Sequence, residues 1–240
     1  GKSANIVFDD ANFERAVDGS LVNIFSNSGQ ICIAGSRILV HRGIAERFID
    51  AFVVRTRSLT IGNPLDPTTE VGPMAFKAHQ QRVLDHIARA TNEGATLLCG
   101  GEAPMNMGSG YFIAPTVFRV ESNDLALCQE EVFGPVVSIQ IFDNDEEALS
   151  IANDSRYGLV GYCWTNSLAR TQAFQRQVDA GTLWINTPLA RDLRAPFGGF
   201  KESGIGRDGP RQAADFFTEE KATISALGNP PIRKLGRLSD

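Results

Sequence analysis

Phe25-Ser26-Asn27-Ser28-Gly29-Gln30-Ile31-Cys32-Ile33-Ala34-Gly35-Ser36-Arg37-Ile38-Leu39-Val40-His41 packs three signals into one short span. Helical spacing of apolar residues over 11–24 leads into it, and a β-branched run at 37–41 leads out as a strand. Gly29 and Gly35 allow the sharp bend between the two. Cys32 therefore lies where a helix gives way to a turn, flanked by Ile31 and Ile33. Such a cysteine is often a small buried hydrophobe. It can equally be a nucleophile, because a thiol reacts as thiolate and backbone N–H groups or a nearby cation stabilise that form.

Outward from this stretch, helical and strand patterns alternate. The chain opens on a strand at 4–8, and Asp9 or Asp10 is placed to cap the helix that follows. Helices fit 43–58, 75–92, 144–153 and 168–178. Strands fit 95–98, 117–120, 135–142, 159–164 and 182–185. Asn144 ahead of Glu146 and Glu147 gives the third of those helices a capping arrangement. The alternation predicts an α/β fold with an open, mainly parallel sheet and flanking helices. A tail at 228–240, rich in Pro, Gly and Arg, is expected on the surface.

Composition narrows the class. The chain of 240 residues is 42% hydrophobic and 21% charged, which suits a globular protein with a substantial core. A net charge of −5 argues against nucleic acid as the main partner. No apolar run approaches the ~20 residues that span a bilayer, so no membrane partner is expected. The four cysteines, Cys32, Cys99, Cys128 and Cys163, are widely spaced, and the three histidines, His41, His79 and His86, form no ligand pattern. No metal site is expected, and a reduced, cytoplasmic protein is the simplest reading.

Three motifs then converge. Phe25-x-x-x-Gly29-Gln30-x-Cys32 resembles the active-cysteine signature of the NAD(P)-dependent aldehyde dehydrogenases. Glu131-Val132-Phe133-Gly134-Pro135 is similar to their Glu-x-Phe-Gly-Pro motif. Asn186 followed by Pro196-Phe197-Gly198-Gly199-x-Lys201-x-Ser203-Gly204-x-Gly206-Arg207 looks like their C-terminal signature. The motifs stand in family order along most of the chain. Gly204-Ile-Gly-Arg-Asp-Gly209 matches a dinucleotide fingerprint literally, but a loop precedes it and no βαβ unit surrounds it, so it is read as a decoy.

The resemblance implies the following roles. Cys32 attacks an aldehyde to give a thiohemiacetal and then a thioester, which water hydrolyses to a carboxylic acid. Glu131 holds the nicotinamide ribose and Phe133 borders the nicotinamide of NAD, or NADP. Ile31, Ile33 and Phe197 wall the substrate pocket. Arg191-Asp192-Leu193-Arg194 falls where the family lines its substrate tunnel, and a guanidinium there suits a substrate carboxylate. Arg191 is the better candidate, unless Asp192 simply pairs with one arginine while the other faces solvent. This stretch and Phe216-Phe217-Thr218-Glu219-Glu220-Lys221 are similar to the 2-hydroxymuconic and 5-carboxymethyl-2-hydroxymuconic semialdehyde dehydrogenases, which act in aromatic catabolism.

The resemblance also implies what is missing. The family's general-base Glu lies in Glu-Leu-Gly-Gly-Lys, and Gly1-Lys2 matches only its end. The oxyanion Asn and the N-terminal coenzyme-binding domain are expected upstream. Residues 1–202 are expected to form the catalytic domain, 203–220 to pack on the coenzyme domain, and 221–240 to supply an oligomerisation strand and tail. A homodimer or homotetramer is expected of the whole enzyme, with a small-molecule aldehyde as substrate; the 240 residues alone are expected to be inactive. Alternatives are a semialdehyde or betaine-aldehyde type dehydrogenase of other specificity, an inactive structural or dimerising fragment, or a cysteine hydrolase pairing Cys32 with a histidine.

Overall fold

The computed structural model describes residues 1–105 and 107–236. Its framework is a seven-stranded sheet. The strands are β1 (Ala4–Val7), β2 (Arg37–His41), β3 (Thr96–Cys99), β4 (Thr116–Arg119), β5 (Val136–Phe142), β7 (Val160–Trp164) and β8 (Thr182–Ile185). They lie in the order β3-β4-β5-β2-β1-β7-β8. Every neighbouring pair is parallel except β3 and β4 at the edge. β6 (Tyr157–Gly158) and β9 (Phe200–Lys201) form a separate antiparallel ribbon. The expected α/β class and mainly parallel sheet are what the chain adopts.

Alternation along the strands explains the layers. Val7, Ile38, Val40, Val137 and Ile139 point to one face, where α1 (Phe13–Phe25) and α2 (Ala45–Arg57) cover them. Ile6 and Leu39 point to the other face, against α5 (Asp145–Asn153) and α6 (Leu168–Gln177). Phe118 and Val136 meet α3 (Lys77–Asn92) and α4 (Ala126–Gln129). Both faces are buried, as a parallel sheet requires. Each core leucine, isoleucine or phenylalanine taken out of water contributes roughly 1.5–3 kcal/mol.

Local details follow from long-range partners. Helix α1 is capped by Asn12, whose side chain accepts the Arg15 N–H at 3.2 Å, and not by Asp9 or Asp10 as expected. Asp10 is drawn instead to Thr165, 2.8 Å away and 155 positions distant in sequence. Gly19, in mid-helix, lies against the Trp164 indole; a Cβ there would sit 2.2 Å from the ring. The helix gives up about 1 kcal/mol of propensity at that residue to admit the largest core side chain.

Past residue 202 the chain differs from the body. Helix α7 (Pro210–Phe217), preceded by Gly209 and opened by Pro210, was not expected from the sequence. Phe216 and Phe217 on it are 81% and 80% exposed. The segment 221–226, expected as a pairing strand, forms no ladder within this chain. Residues 237–240 of the expected tail lie outside the described residues. Gly204–Gly209 is entered from the antiparallel ribbon and makes a bridge, Phe197 with Asp208, so no βαβ unit surrounds it.

Candidate functional site

Cys32 is exposed, whereas Cys99, Cys128 and Cys163 are buried. The residues of its motif divide the work of holding it there. Phe25 is core, stacked on Phe52 with ring centroids 6.1 Å apart. Asn27, Ser28 and Gly29 all take left-handed backbone, with φ of 50°, 57° and 70°. Ser28 donates to the Gly72 carbonyl at 2.9 Å. Gln30 accepts the Ala75 N–H at 2.9 Å and donates to the Pro73 carbonyl at 3.3 Å. A turn held by such external bonds is an over-determined conformation, and left-handed backbone costs of order 1–3 kcal/mol at a non-glycine residue such as Ser28. Among the described residues, the Cys32 N–H has no acceptor in the chain.

Gly29 also explains why the second motif lies beside the first. A Cβ at Gly29 would stand 2.1 Å from the Gly134 carbonyl oxygen, so the two backbones are in direct contact. The turn at Gly134-Pro135 thereby delivers Glu131 and Phe133 to the Cys32 loop. Glu131, Phe133 and Ile31 line one small cavity at the amino ends of β1, β2 and β5. Glu131 accepts from the amino group of Gly1. Glu130 is turned away and pairs with Arg89 at 2.9 Å. Phe133 has φ 57° and its ring is partly exposed, while its carbonyl is bonded to His79 Nε2 at 2.7 Å.

On the other side of Ile31 lies a larger cavity of about 390 Å³. Ile31, Cys32, Ile33, Trp184, Arg191 and Phe197 line it. The four expected substrate-wall residues and the nucleophile candidate thus meet at one cavity. The paired arginines part company. Arg194 binds Asp192 through several contacts, the shortest 2.7 Å, and that bond holds the Asp192 carboxyl below the usual carboxylate range. Arg191 lines the cavity and, among the described residues, forms no ion pair.

Two residues that sequence reasoning passed over hold these walls. Tyr162 donates to the Ile33 carbonyl at 2.7 Å. Trp184 donates to the Ala190 carbonyl at 2.6 Å. Burial first, and then the nearby Cys32, push the Tyr162 phenol up, so it stays protonated. Asp208 is a third omission: it lines the same cavity, carried there by its two 2.7 Å backbone bonds to Phe197. No local pattern marks any of these three.

Other titratable groups behave differently. Lys2 is 2% exposed, its Nζ has no partner, and burial lowers it to about 8. Burial pushes the Cys163 thiol up to about 12 and raises that of Cys99. None of the three histidines lines the Cys32 cavity; His41 closes the far end of β2, where its Nδ1 accepts the Gly43 N–H. A Cys–His hydrolase pair therefore has no member at hand. Among the described residues, no group of three or more His, Cys, Asp and Glu is gathered as for a metal ion, and no helix is long and apolar enough to cross a membrane.

Comparison with known proteins gives a consistent picture. The model of the Aldehyde dehydrogenase family matches residues 1–223. Betaine aldehyde dehydrogenase of Brucella anthropi is 41% identical over 230 residues, covering 95% of this chain and 47% of that protein. The crystal structure of HpcC from Thermus thermophilus superposes with a TM-score of 0.89 at 40% identity, over 95% of this chain and 47% of that one. That of an indole-3-acetaldehyde dehydrogenase complexed with NAD+ gives 0.89 at 42% identity, over 93% and 45%. The chain spans about half the length of the curated relatives it matches.

Proposed function

Because the chain belongs to the aldehyde dehydrogenase family, we propose that it carries the nucleophile-bearing part of an NAD-dependent enzyme that oxidises a carboxylate-bearing semialdehyde to the acid. The observation that carries this reading is the exposed Cys32 opening onto a cavity lined by Arg191, whose competing carboxylate Asp192 is held by Arg194.

In this reading the Cys32 sulfur adds to the aldehyde carbon, and the developing oxyanion takes the unoccupied Cys32 N–H. NAD, when bound, supplies the hydride acceptor that converts the thiohemiacetal on sulfur to a thioester. The residues suit such a group: a carboxylate at Glu131 for ribose hydroxyls and a ring at Phe133, 39% exposed and held out by left-handed backbone, for a flat heterocycle. NADP would meet the same two residues. Ile31, Ile33 and Phe197 desolvate the reacting carbon, and Arg191 fixes the far carboxylate. Water then cleaves the thioester and frees Cys32. We assign no general base among these residues.

A second reading has its own support. Trp184, Phe197 and Asp208 share the cavity, and aromatic faces with a carboxylate suit a quaternary ammonium group. Relatives of this chain are named betaine aldehyde dehydrogenases. Two methanethiosulfonates with short arms, one ending in a carboxylate and one in trimethylammonium, separate the readings through their rates at Cys32. The carboxylate reading expects Arg191→Ala to slow the anionic reagent about tenfold relative to the cationic one. If Asp208→Asn instead slows the cationic reagent and Arg191→Ala changes nothing, the betaine-type reading holds.

For the rest of the chain, we propose residues 1–202 as the catalytic domain, 203–220 as a segment that packs on a coenzyme-binding domain, and 221–226 as a strand for subunit pairing. The exposed Phe216, Phe217, Ile224 and Leu227 support this division.

A further inference from the structure

Tyr162 on β7 and Trp184 on β8 are register partners on adjacent parallel strands. Their rings stack, with centroids 5.1 Å apart and planes 11° from parallel. Both are buried, at 0% and 8% exposure, in a cluster that also receives Ile33, Leu189 and Phe197. Each ring ends in a donor, and each donor holds a different loop. The Tyr162 hydroxyl holds the carbonyl of Ile33, next to Cys32, at 2.7 Å. The Trp184 indole holds the carbonyl of Ala190, next to Arg191, at 2.6 Å. Leu189, just before that anchor, is in left-handed backbone with φ 53°, so the loop is bent to meet it.

We propose that Tyr162 and Trp184 are positioning residues, a stacked pair that fixes the separation of the Cys32 sulfur from the Arg191 side chain and thereby sets the length of two-headed substrate that the cavity accepts. This rests on the reading of the cavity given above. The physical basis is rigidity. One loop leads from α1 into β2 and the other leaves β8, and the two share one anchor of two flat rings, each with few rotatable bonds and locked in the core. A pocket that must bind a carboxylate and present an aldehyde to sulfur discriminates chain length only if its two ends cannot drift. Neither ring reacts; the phenol remains protonated and its hydrogen bond is spent on Ile33.

The test measures the separation directly and needs neither turnover nor a carboxylate ligand. In the full chain carrying Arg191→Cys, homobifunctional thiol reagents of graded length are applied, and the bridged peptide joining position 32 to position 191 is quantified by mass spectrometry. The proposal expects one reagent length to dominate. Adding Tyr162→Phe, which keeps the ring and removes only the hydroxyl, lowers the preference for that length about fivefold, the effect of one lost hydrogen bond. Trp184→Phe has the same effect from the other side. In Tyr162→Phe the protein stays folded, with its melting temperature lowered by no more than the few degrees that one lost hydrogen bond costs, and iodoacetamide still alkylates Cys32. A length profile identical in all three backgrounds overturns the proposal. Because no substrate charge enters the measurement, such a failure is distinct from failure of the carboxylate reading, which the methanethiosulfonate pair reports.

Discussion

The two ends of the parallel strands are built in opposite ways. At the carboxyl ends, Arg170 reaches Asp9 at 2.7 Å, Asp10 at 2.8 Å and Asp145 at 2.9 Å, and lies over the Phe8 ring. Thr165 and Asn166 take the remaining contacts of Asp10. At the amino ends, Asn27, Ser28 and Phe133 are in left-handed backbone, and the polar atoms Lys2 Nζ, Ser3 Oγ and Ser36 Oγ have no partner. Open parallel sheets usually bind ligands beyond their carboxyl ends. Here that edge is tied shut by charge, and the thiol and both cavities lie at the other edge with the left-handed turns at Asn27, Ser28 and Phe133; the loop after β8, left-handed at Asn186 and Leu189, folds back to join them. Strain and unpaired polar atoms cluster where an arrangement is held for function and not for stability.

Substitutions break or sharpen this contrast in decreasing order of effect. Gly29→Ala forces a Cβ onto the Gly134 carbonyl at a backbone angle that L-residues avoid. It should cost about 4 kcal/mol in denaturant unfolding and slow Cys32 alkylation. Stability loss without any change at Cys32 would detach the strained turn from the site.

Lys2→Met tests the unpaired charge at the same edge. Burial lowers the folded-state lysine from 10.5 to about 8. Below pH 8 the folded state must bury a charged ammonium, and the unfolded state holds the proton more tightly. Wild-type stability is therefore depressed there and recovers as pH rises from about 8 to about 10.5. The variant should be more stable by up to about 3 kcal/mol at pH 7, with the gain shrinking to near zero by pH 10.5. A gain that does not vary with pH would mean that the ammonium is not the cause.

Arg170→Met, at the carboxyl edge, should cost about 2 kcal/mol and leave Cys32 alkylation untouched. Its bond to Arg170 holds the Asp9 carboxyl below its ordinary range. That share of stability is present above the ordinary carboxylate range and lost as pH falls through the depressed value. Wild type and variant should therefore converge in acid. The smallest effect belongs to Phe216→Ser with Phe217→Ser. Unfolding free energy should hold within about 0.5 kcal/mol, since both rings are exposed, while sedimentation shows weaker self-association. A large loss of stability would mean that these rings pack on the body.

Much of this was legible in the sequence. The bend at Cys32 and the alternation that makes a parallel sheet were readable, because period and turn chemistry are local, whereas Ile31, Ile33, Arg191 and Phe197 were named only through the family resemblance. What escaped depends on distant partners. Asp10 looked like a helix cap, and only the approach of Arg170 and Thr165 takes it away. Arg191 was already the better candidate of the two arginines, but which of them Asp192 pairs with is set by the folded loop, where it takes Arg194. Tyr162 and Trp184 read as ordinary strand aromatics; their function lies in which carbonyls their tips reach. Helix α7 was a true oversight, since Gly209-Pro210 is a recognised opening for a helix.

The central claim is that Cys32 is the nucleophile of this chain. Site-resolved alkylation of the native protein with iodoacetamide at pH 8, with and without a carboxylate-bearing aldehyde, tests it most directly. The account predicts that Cys32 is modified about a thousandfold before Cys163, whose thiol burial raises to about 12, and that the aldehyde slows this reaction by occupying the sulfur reversibly. Modification of Cys32 no faster than that of the buried thiols, or a rate indifferent to the aldehyde, would contradict it.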